Sequence, residues 1–181
     1  MGLLRRLMLA PPEYAYVLNG NRIAEWETKA ARVMGEWASQ FLKNWRGYEI
    51  FSYEDLRITS KMSSTAEGVE DEFLWQSLFA WADASPVDAV PPPNLMKLIE
   101  DLRRHLAVDG VIMIKGHQEI PKSWYSVGKA DIKAYILESA SGRLVWKNRL
   151  VRLSPARPLE QQEVKALFAP LEFAVPLVLV E

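Results

Sequence analysis

His117 and Glu119 are the two residues of this sequence whose types and spacing most directly suggest chemistry. They follow an apolar run, and side chains two residues apart on a β-strand point to the same face of the sheet. An imidazole beside a carboxylate can transfer protons or supply two ligands to a metal ion. A third ligand does not stand nearby in the sequence, so the competing interpretation is a strand-end histidine with a local hydrogen bond. We therefore treat His117 as a candidate binding residue and predict no metal site.

The sequence contains none of the motifs that usually mark a catalytic or nucleotide-binding site. Neither G-x-G-x-x-G nor the P-loop pattern occurs, and G-x-S-x-G and H-E-x-x-H are also missing. The chain has no cysteine, which excludes a disulfide, a thiolate nucleophile and a cysteine-ligated metal. We expect a protein that is not an enzyme and needs no cofactor. The alternative from another class is a cytoplasmic enzyme that uses His117 and Glu119, which requires the two side chains to converge in a concave pocket.

Trp124 and Tyr125 stand next to each other in a polar segment, PKSWYSVGKA, between two predicted strands. Tryptophan and tyrosine are enriched at binding hot spots, and this chain has 7 tryptophans. We predict that Trp124 and Tyr125 contact a partner. The alternative is that the two rings cover an edge of the sheet.

Charge and composition limit the classes of partner. The chain has 181 residues, of which 49% are hydrophobic, enough for one domain with a substantial core. Its 22 basic residues nearly balance 23 acidic ones, and nucleic-acid binding normally needs a basic excess, so we expect no nucleic-acid partner. No stretch approaches the roughly 20 apolar residues that span a bilayer. The apolar run at residues 7–10 is too short for a signal peptide, so an export signal, if there is one, is expected outside this sequence.

Apolar residues at steps of three and four predict the helices that surround these candidates. The predicted helices cover residues 22–45, 69–81, 94–107 with Asn94 as N-cap, and 160–171. Strands are predicted at residues 7–17 with an interruption at the prolines, at 48–56, at 108–120 and in the apolar tail 172–181. The nearly continuous apolar run at 108–120 is typical of a strand buried on both faces. A proline-rich connector is predicted at residues 84–94, with a proline-rich partner site as the alternative.

Residues 131–151, DIKAYILESASGRLVWKNRLV, predict a β-hairpin that begins at Asp131. Its first strand is expected to alternate between two faces, one with Ile132, Ala134 and Ile136 and the other with Lys133, Tyr135 and Leu137. Ser141 and Gly142 close the turn, where glycine can adopt the positive φ that the turn requires. Leu144 and Trp146 are expected to share one face of the return strand, with the tryptophan packed across the hairpin or onto a helix.

This order of elements resembles the TolB N-terminal-like fold, which CsgG-type and LpoB-type bacterial outer-membrane lipoproteins share. In that fold an "AD-hydrophobic-G" strand is followed by a long loop and by a strand that ends in "D-x-x-TG-x-hydrophobic-W". Val108 and Asp109 correspond to the first element, and Ser141, Gly142 and Trp146 correspond to the last. The sequence departs from the pattern in Glu138 and Ser141, where aspartate and threonine are usual, and it has no lipobox cysteine.

The resemblance implies an α/β fold, with a single mixed sheet of about five strands packed by three to four helices in one domain over residues 1–181. It implies a non-enzymatic bacterial cell-envelope module that binds other envelope proteins, with self-association as a further kind of partner. The expected location is the periplasm or outer membrane if an export signal has been removed, and otherwise the cytoplasm. Membrane attachment would need a lipid anchor that is absent from this sequence. A related alternative is an auxiliary lipoprotein of a lipid-trafficking transporter, which requires an apolar groove for an acyl chain.

Overall fold

The computed structural model describes residues 5–46, 48–52, 65–120, 128–154 and 160–173. Within these ranges one mixed sheet contains seven strands: β1 (Arg6–Leu9), β2 (Glu13–Leu18), β3 (Asn21–Arg22), β4 (Glu49–Ser52), β5 (Gly110–Ile120), β6 (Gly128–Glu138) and β7 (Leu144–Ser154). The α-helices of the same ranges are α1 (Ala24–Arg46), α2 (Thr65–Ala84), α3 (Pro93–Leu106) and α4 (Gln161–Phe168), and a 3-10 helix (Ala169–Phe173) follows α4. The predicted α/β class is confirmed.

The described strands outnumber the predicted five or so because the first predicted strand is two strands and because the short β3 was not predicted. Proline has no backbone N–H to donate to a neighbouring strand, so the chain leaves the sheet at Pro11 and Pro12 and returns in β2. None of the described helices combines the length and the apolar composition that crossing a bilayer requires. The predicted strand in the tail 172–181 lies outside the described strands, because residues 174–181 are not among the described residues.

β5 lies at the centre of the sheet. Along one edge it pairs in parallel with two short strands in succession, first with β1 and then with β2. Along its other edge it pairs antiparallel with β6, which in turn pairs antiparallel with β7. β4 extends the sheet beside β1, and β3 extends it beside β2. Residues 110–114 of β5 are buried on both faces, as the apolar run predicts, whereas residues 115–120 alternate between buried and more exposed side chains.

Two hydrophobic cores lie on the two faces of the sheet. The first core joins the sheet to α1 and α4 and includes Ile112, Ile114, Ile132, Ala134, Ile136, Met34, Leu42, Val164 and Leu167. The second core joins the sheet to α2 and α3 and includes Val111, Met113, Tyr135, Leu137, Leu78, Phe79, Leu95 and Ile99. The alternation in β6 is therefore the predicted one, with Ile132 and Tyr135 on opposite faces.

The expectation that Leu144 and Trp146 share a face is wrong. Leu144 pairs with Leu137 and packs in the second core, whereas Trp146 pairs with Ile136 and stacks on Phe168 in the first core, with ring centroids 5.8 Å apart. The register shifts between these two pairs, which is a β-bulge on β7. An extra residue in one strand reverses the alternation of side chains that follows it, and this bulge thereby directs the tryptophan onto α4.

The proline-rich connector packs onto the hairpin turn. The backbone N–H of Asp88 donates to the carbonyl oxygen of Leu144 at 2.7 Å, and the N–H of Leu144 donates to the carbonyl of Ala89 at 3.0 Å. The helix that follows is capped by Pro92, with Pro93 in its first turn, so the prediction of Asn94 as the N-cap is wrong. Proline suits the first helical position, that of Pro93, because its φ is already helical and because the N–H that it lacks would have no partner in the helix.

Asp109 fixes the start of β1. Its carboxylate oxygen Oδ2 accepts the backbone N–H groups of Arg5 and Arg6 at 3.0 and 2.8 Å, and its own N–H donates to the carbonyl of Arg6 at 2.8 Å. Three hydrogen bonds therefore join the segment before β5 to the parallel strand beside it. This gives the Asp109 position a structural role in the sheet.

The hairpin turn is fixed by backbone conformation and by contact with α3. Gly142 has a φ of +71°, and its N–H donates to the carbonyl of Glu138 at 2.8 Å. The Ser141 hydroxyl accepts the N–H of Arg143 at 3.2 Å. A Cβ at position 142 would lie 2.2 Å from the sulfur of Met96. Glycine at this position thus satisfies both the positive φ and the close approach of α3.

A second glycine, Gly116 of β5, leaves room for the buried ring of Tyr14 on the neighbouring strand β2. A Cβ at Gly116 in β5 would lie 2.3 Å from the ring of Tyr14 in β2. Tyr14 is buried and its hydroxyl donates to the side-chain oxygen of Gln118 at 3.0 Å, so the ring has little freedom to move away.

We predict that Gly116→Ala lowers the free energy of unfolding by roughly 1–3 kcal/mol, because the added methyl group overpacks the Tyr14 ring. Urea denaturation of the purified protein measures this loss. The control is a double-mutant cycle with Tyr14→Ala, in which the added methyl group has no ring to meet and the penalty of the alanine should largely disappear. An equal penalty in both backgrounds would contradict the contact.

Candidate functional site

One half of one sheet face is not covered by any described helix. β5, β6 and β7 have 11 residues each, so each strand is about 36 Å long, and α2 and α3 pack only on the part nearest the hairpin turn. We call the remaining part the open face, and we include Lys133 and Lys147 at its border, where they contact the end of α2. On these three strands it consists of Lys115, His117, Glu119, Lys129, Asp131, Lys133, Lys147, Arg149, Val151 and Leu153.

His117 and Glu119 lie on the open face, at the predicted spacing on one strand. His117 Nε2 lies 3.1 Å from Glu119 Oε1, and the two side chains are 41% and 61% exposed. His117 stands directly opposite Asp131 of β6 in the register. The fold therefore brings His117 together with Asp131, one of the predicted hairpin residues, whereas Ser141 and Gly142 lie in the turn.

The catalytic alternative requires His117 and Glu119 to converge in a concave pocket. The two residues instead contact each other on the exposed sheet face, and they line neither of the two cavities described below. Within the described residues, no group of three histidine or acidic side chains is arranged to hold a metal ion. The geometry matches the interpretation of a strand-end histidine with a local hydrogen bond.

Arg149 and Asp131 form a two-pronged ion pair across β6 and β7. Arg149 Nε donates to Asp131 Oδ1 at 2.8 Å, and Arg149 Nη2 donates to Asp131 Oδ2. The hydrogen bonds from Arg149 outweigh burial and hold the pKa of Asp131 below its usual range. The carboxylate is mostly buried, while the arginine side chain is 52% exposed. Arginine therefore presents its remaining donors to solvent.

A cleft of about 480 Å³ lies where the C-terminal end of α2 meets β6 and β7. We call it the α2 cleft. Asp83 of α2 accepts hydrogen bonds from Lys133 Nζ at 2.8 Å and from the Tyr135 hydroxyl at 2.7 Å. Burial of Asp83 opposes its ionisation, but these two hydrogen bonds outweigh that effect and the pKa of Asp83 lies below its usual value. Burial, together with the hydrogen bond to Asp83, raises the pKa of Tyr135.

Lys147 caps the C-terminal end of α2 from β7. Its Nζ donates to the carbonyl oxygen of Ser85 at 2.7 Å and to that of Asp83 at 3.4 Å. The last carbonyl groups of a helix lack partners within the helix and carry partial negative charge, so a cation is favourable there. Lys147 thus neutralises the helix end that forms one wall of the α2 cleft.

A second cavity, of about 730 Å³, lies between α1 and strands β1 and β4. Its lining combines apolar residues such as Leu9 and Ile50 with charged residues such as Arg32 and Glu36. The lipid-trafficking alternative requires an apolar groove for an acyl chain. The apolar part of this lining is larger than the polar part, so the binding of an acyl chain here stays a prediction.

The opposite face carries a buried ion pair that sequence reasoning missed. Arg152 Nη1 of β7 lies 2.6 Å from Glu163 Oε1 of α4, and both side chains are largely buried. The other oxygen of Glu163 accepts the backbone N–H of Glu160 at 2.9 Å, which completes a capping box at the start of α4. The sequence predicts the helix at 160–171, but the partner of Glu163 lies on β7, and no spacing along the chain indicates that pairing.

Trp124 and Tyr125 lie outside the described residues, so their contact with a partner stays a prediction. By chain connectivity, the segment that contains them joins the end of β5 to the start of β6. These strand ends also carry Glu119 and Lys129 of the open face.

No protein-family model and no curated protein matches the sequence. Among solved structures, the hypothetical protein CT253 from Chlamydia trachomatis aligns with a TM-score of 0.54 at 11% identity, covering 95% of this chain and 98% of that chain. Lipoprotein GNA1162 from Neisseria meningitidis aligns with a TM-score of 0.46 at 13% identity, covering 97% and 99%. The LpoB C-terminal domain from Salmonella enterica aligns with a TM-score of 0.39 at 12% identity, covering 83% and 84%. At this identity, the alignment with CT253 shows a shared fold.

We predict that Asp131→Asn makes the protein less stable at pH 7 and that the difference shrinks as the pH falls from about 5 to about 2. The folded-state pKa of Asp131 is depressed, so its stabilising effect is present above the unfolded-state pKa and is lost as the pH falls through the folded-state value. Urea denaturation across this pH range measures the difference. Glu100→Gln, at an exposed position of α3, is the control and should give a smaller difference at pH 7. A pH-independent difference for Asp131→Asn would contradict the role of this ion pair.

Proposed function

We propose that this chain is a non-enzymatic bacterial cell-envelope domain that binds other proteins through the open face. The observation that carries the proposal is a rigid sheet surface that combines cations with exposed apolar side chains. Val151 and Leu153 are 43% and 69% exposed, and both lie on the same face of β7 as Arg149. Arginine beside apolar residues is a combination found at protein interfaces, where it supplies charged hydrogen bonds and apolar area together.

The sheet supports such a role because its geometry does not depend on the partner. β6 pairs with β5 on one edge and with β7 on the other over most of its length, and the opposite face is held by the first core. A surface built on paired strands loses little conformational entropy when it binds. The two cores share this one sheet, which supports a single α/β domain over residues 1–181 with the connector 84–94 packed against it.

Trp124 and Tyr125 stay predicted contact residues for the proposed function. Their segment joins the strand ends that carry Glu119 and Lys129, next to Leu153 in the register. In this proposal the two aromatic side chains supply the buried anchor that such interfaces use. His117 lies on the same face and belongs to the same proposed surface.

The proposed location is the periplasm or the outer membrane. Its support is the motif series of Val108, Asp109, Ser141, Gly142 and Trp146, which resembles that of envelope lipoproteins, and the fold is compatible with that resemblance. Reading the gene upstream of Met1 tests the location. We expect an encoded signal peptide that ends in a small-residue box and a cysteine. A ribosome-binding site directly before Met1 would contradict the envelope location and would direct the search to cytoplasmic partners.

We predict that a photo-crosslinking amino acid at Leu153, introduced in cells that naturally produce the protein, gives a discrete product of higher mass. Leu153 is the most exposed apolar residue of the open face, and we expect a bound partner to cover it. The same amino acid at Lys29, exposed on α1 on the opposite side of the sheet, is the control.

Mass spectrometry of the product distinguishes an envelope protein from a second copy of this chain, which is the alternative partner. Crosslinks of similar yield from positions 153 and 29, or none from position 153, would contradict the open face as the binding surface.

A further inference from the structure

We propose that the α2 cleft binds an acidic segment of a protein partner, with its carboxylates held by Lys133, Lys147 and Arg149. This inference rests on the proposed protein-binding function and specifies the chemistry of the segment. The three cations come from neighbouring strands and line one cleft with Asp83 and Tyr135. Within the part of the chain that the structure describes, each of them has hydrogen-bond donors that its contacts do not use.

The count of donors supports an acceptor-rich ligand. A lysine ammonium has three N–H donors and an arginine guanidinium has five. Lys147 uses two on the carbonyl groups of α2, Lys133 contacts the two oxygens of Asp83, and Arg149 uses two on Asp131. Counted over the contacts of the described residues, at least one donor of each lysine and three donors of Arg149 therefore stay available for a ligand.

The acidic groups near the cleft already have partners. Asp83 accepts hydrogen bonds from Lys133 and Tyr135, and Asp131 accepts both of its hydrogen bonds from Arg149. Because Asp83 and Asp131 are already paired, a carboxylate of a partner would accept hydrogen bonds from the unused donors of the three cations. It would not have to displace Asp83 or Asp131. Each such contact would be a charge-assisted hydrogen bond.

The local charge has the sign that an acidic ligand requires. Lys115, Lys133, Lys147 and Arg149 surround the cleft together with two carboxylates, Asp83 and Asp131, so four positive charges exceed two negative charges by two. The whole chain has a net charge of −1. Positive charge is thus concentrated at this end of the open face, which attracts and orients acidic segments.

The neighbouring residues of β7 define how such a segment would lie. Arg149, Val151 and Leu153 alternate on one face of the strand, so Leu153 lies about 13 Å from Arg149 along it. An extended segment with acidic residues over the α2 cleft would therefore place an apolar residue about four positions away against Leu153.

Fluorescence anisotropy with a labelled hexaglutamate peptide and the whole chain tests the inference. We expect saturable binding that weakens with added salt, and about tenfold or more weaker binding by the double variant Lys147→Gln, Arg149→Gln. The matched control is Lys29→Gln, Arg32→Gln, which removes one lysine and one arginine from the exposed surface of α1 on the opposite side of the sheet. This control should bind as the unchanged protein does.

A second variant separates loss of the site from loss of the fold. Arg149→Lys retains the charge, and its affinity should lie between those of the unchanged protein and the double variant. Equal weakening by the two double variants, no binding by the unchanged protein, or equal binding of hexalysine or hexathymidylate would overturn the acidic-segment inference. A specific crosslink from position 153 combined with any of these results would leave the proposed function intact and remove only this inference.

Discussion

The structure depends on the pairing of β5 on both edges and on the burial of its residues 110–114 on both faces. Every backbone N–H and carbonyl group of a buried strand needs a hydrogen-bond partner, because an unpaired one costs about 1–3 kcal/mol. β5 meets this requirement with β6 on one edge and with β1 and then β2 on the other. Ala10 continues the pairing between the two short strands by donating its N–H to the carbonyl of Ile112 at 2.9 Å. The chain can therefore leave the sheet at Pro11 and Pro12, while β1, Ala10 and β2 still supply hydrogen-bond partners along this edge of β5.

The difference in length between strands and helices creates the open face. β5, β6 and β7 have 11 residues each, whereas α2 and α3 cover only the part of one face nearest the turn. The residues beyond them are mostly charged and are organised in local pairs, His117 with Glu119 and Asp131 with Arg149. The exposed pair of His117 with Glu119 contributes little to stability, whereas the largely buried carboxylate of Asp131 depends on Arg149. We assign the function to this surface because it combines such charged groups with the exposed side chains of Val151 and Leu153.

Small backbone features decide which side chains meet the helices. One extra residue in β7 sends Leu144 to the α2–α3 core and Trp146 to the α1–α4 core. The connector then hydrogen-bonds to Leu144, and Gly142 lets α3 approach the turn. The hairpin thus contributes to both cores at the same point of the chain.

The sequence by itself determined the class of the fold, the long first helix, the buried central strand and the alternation of Ile132 and Tyr135. These follow from local periodicity, which burial on one or both faces imposes residue by residue. Only the tertiary structure decided the opposite orientation of Leu144 and Trp146, the N-cap at Pro92 and the pairing of Arg152 with Glu163. A bulge has no fixed sequence pattern, and an ion pair between a strand and a helix depends on distances that no spacing along the chain encodes. The α2 cleft belongs to this second group, because Asp83 and Arg149 come together only when α2 ends above β6 and β7.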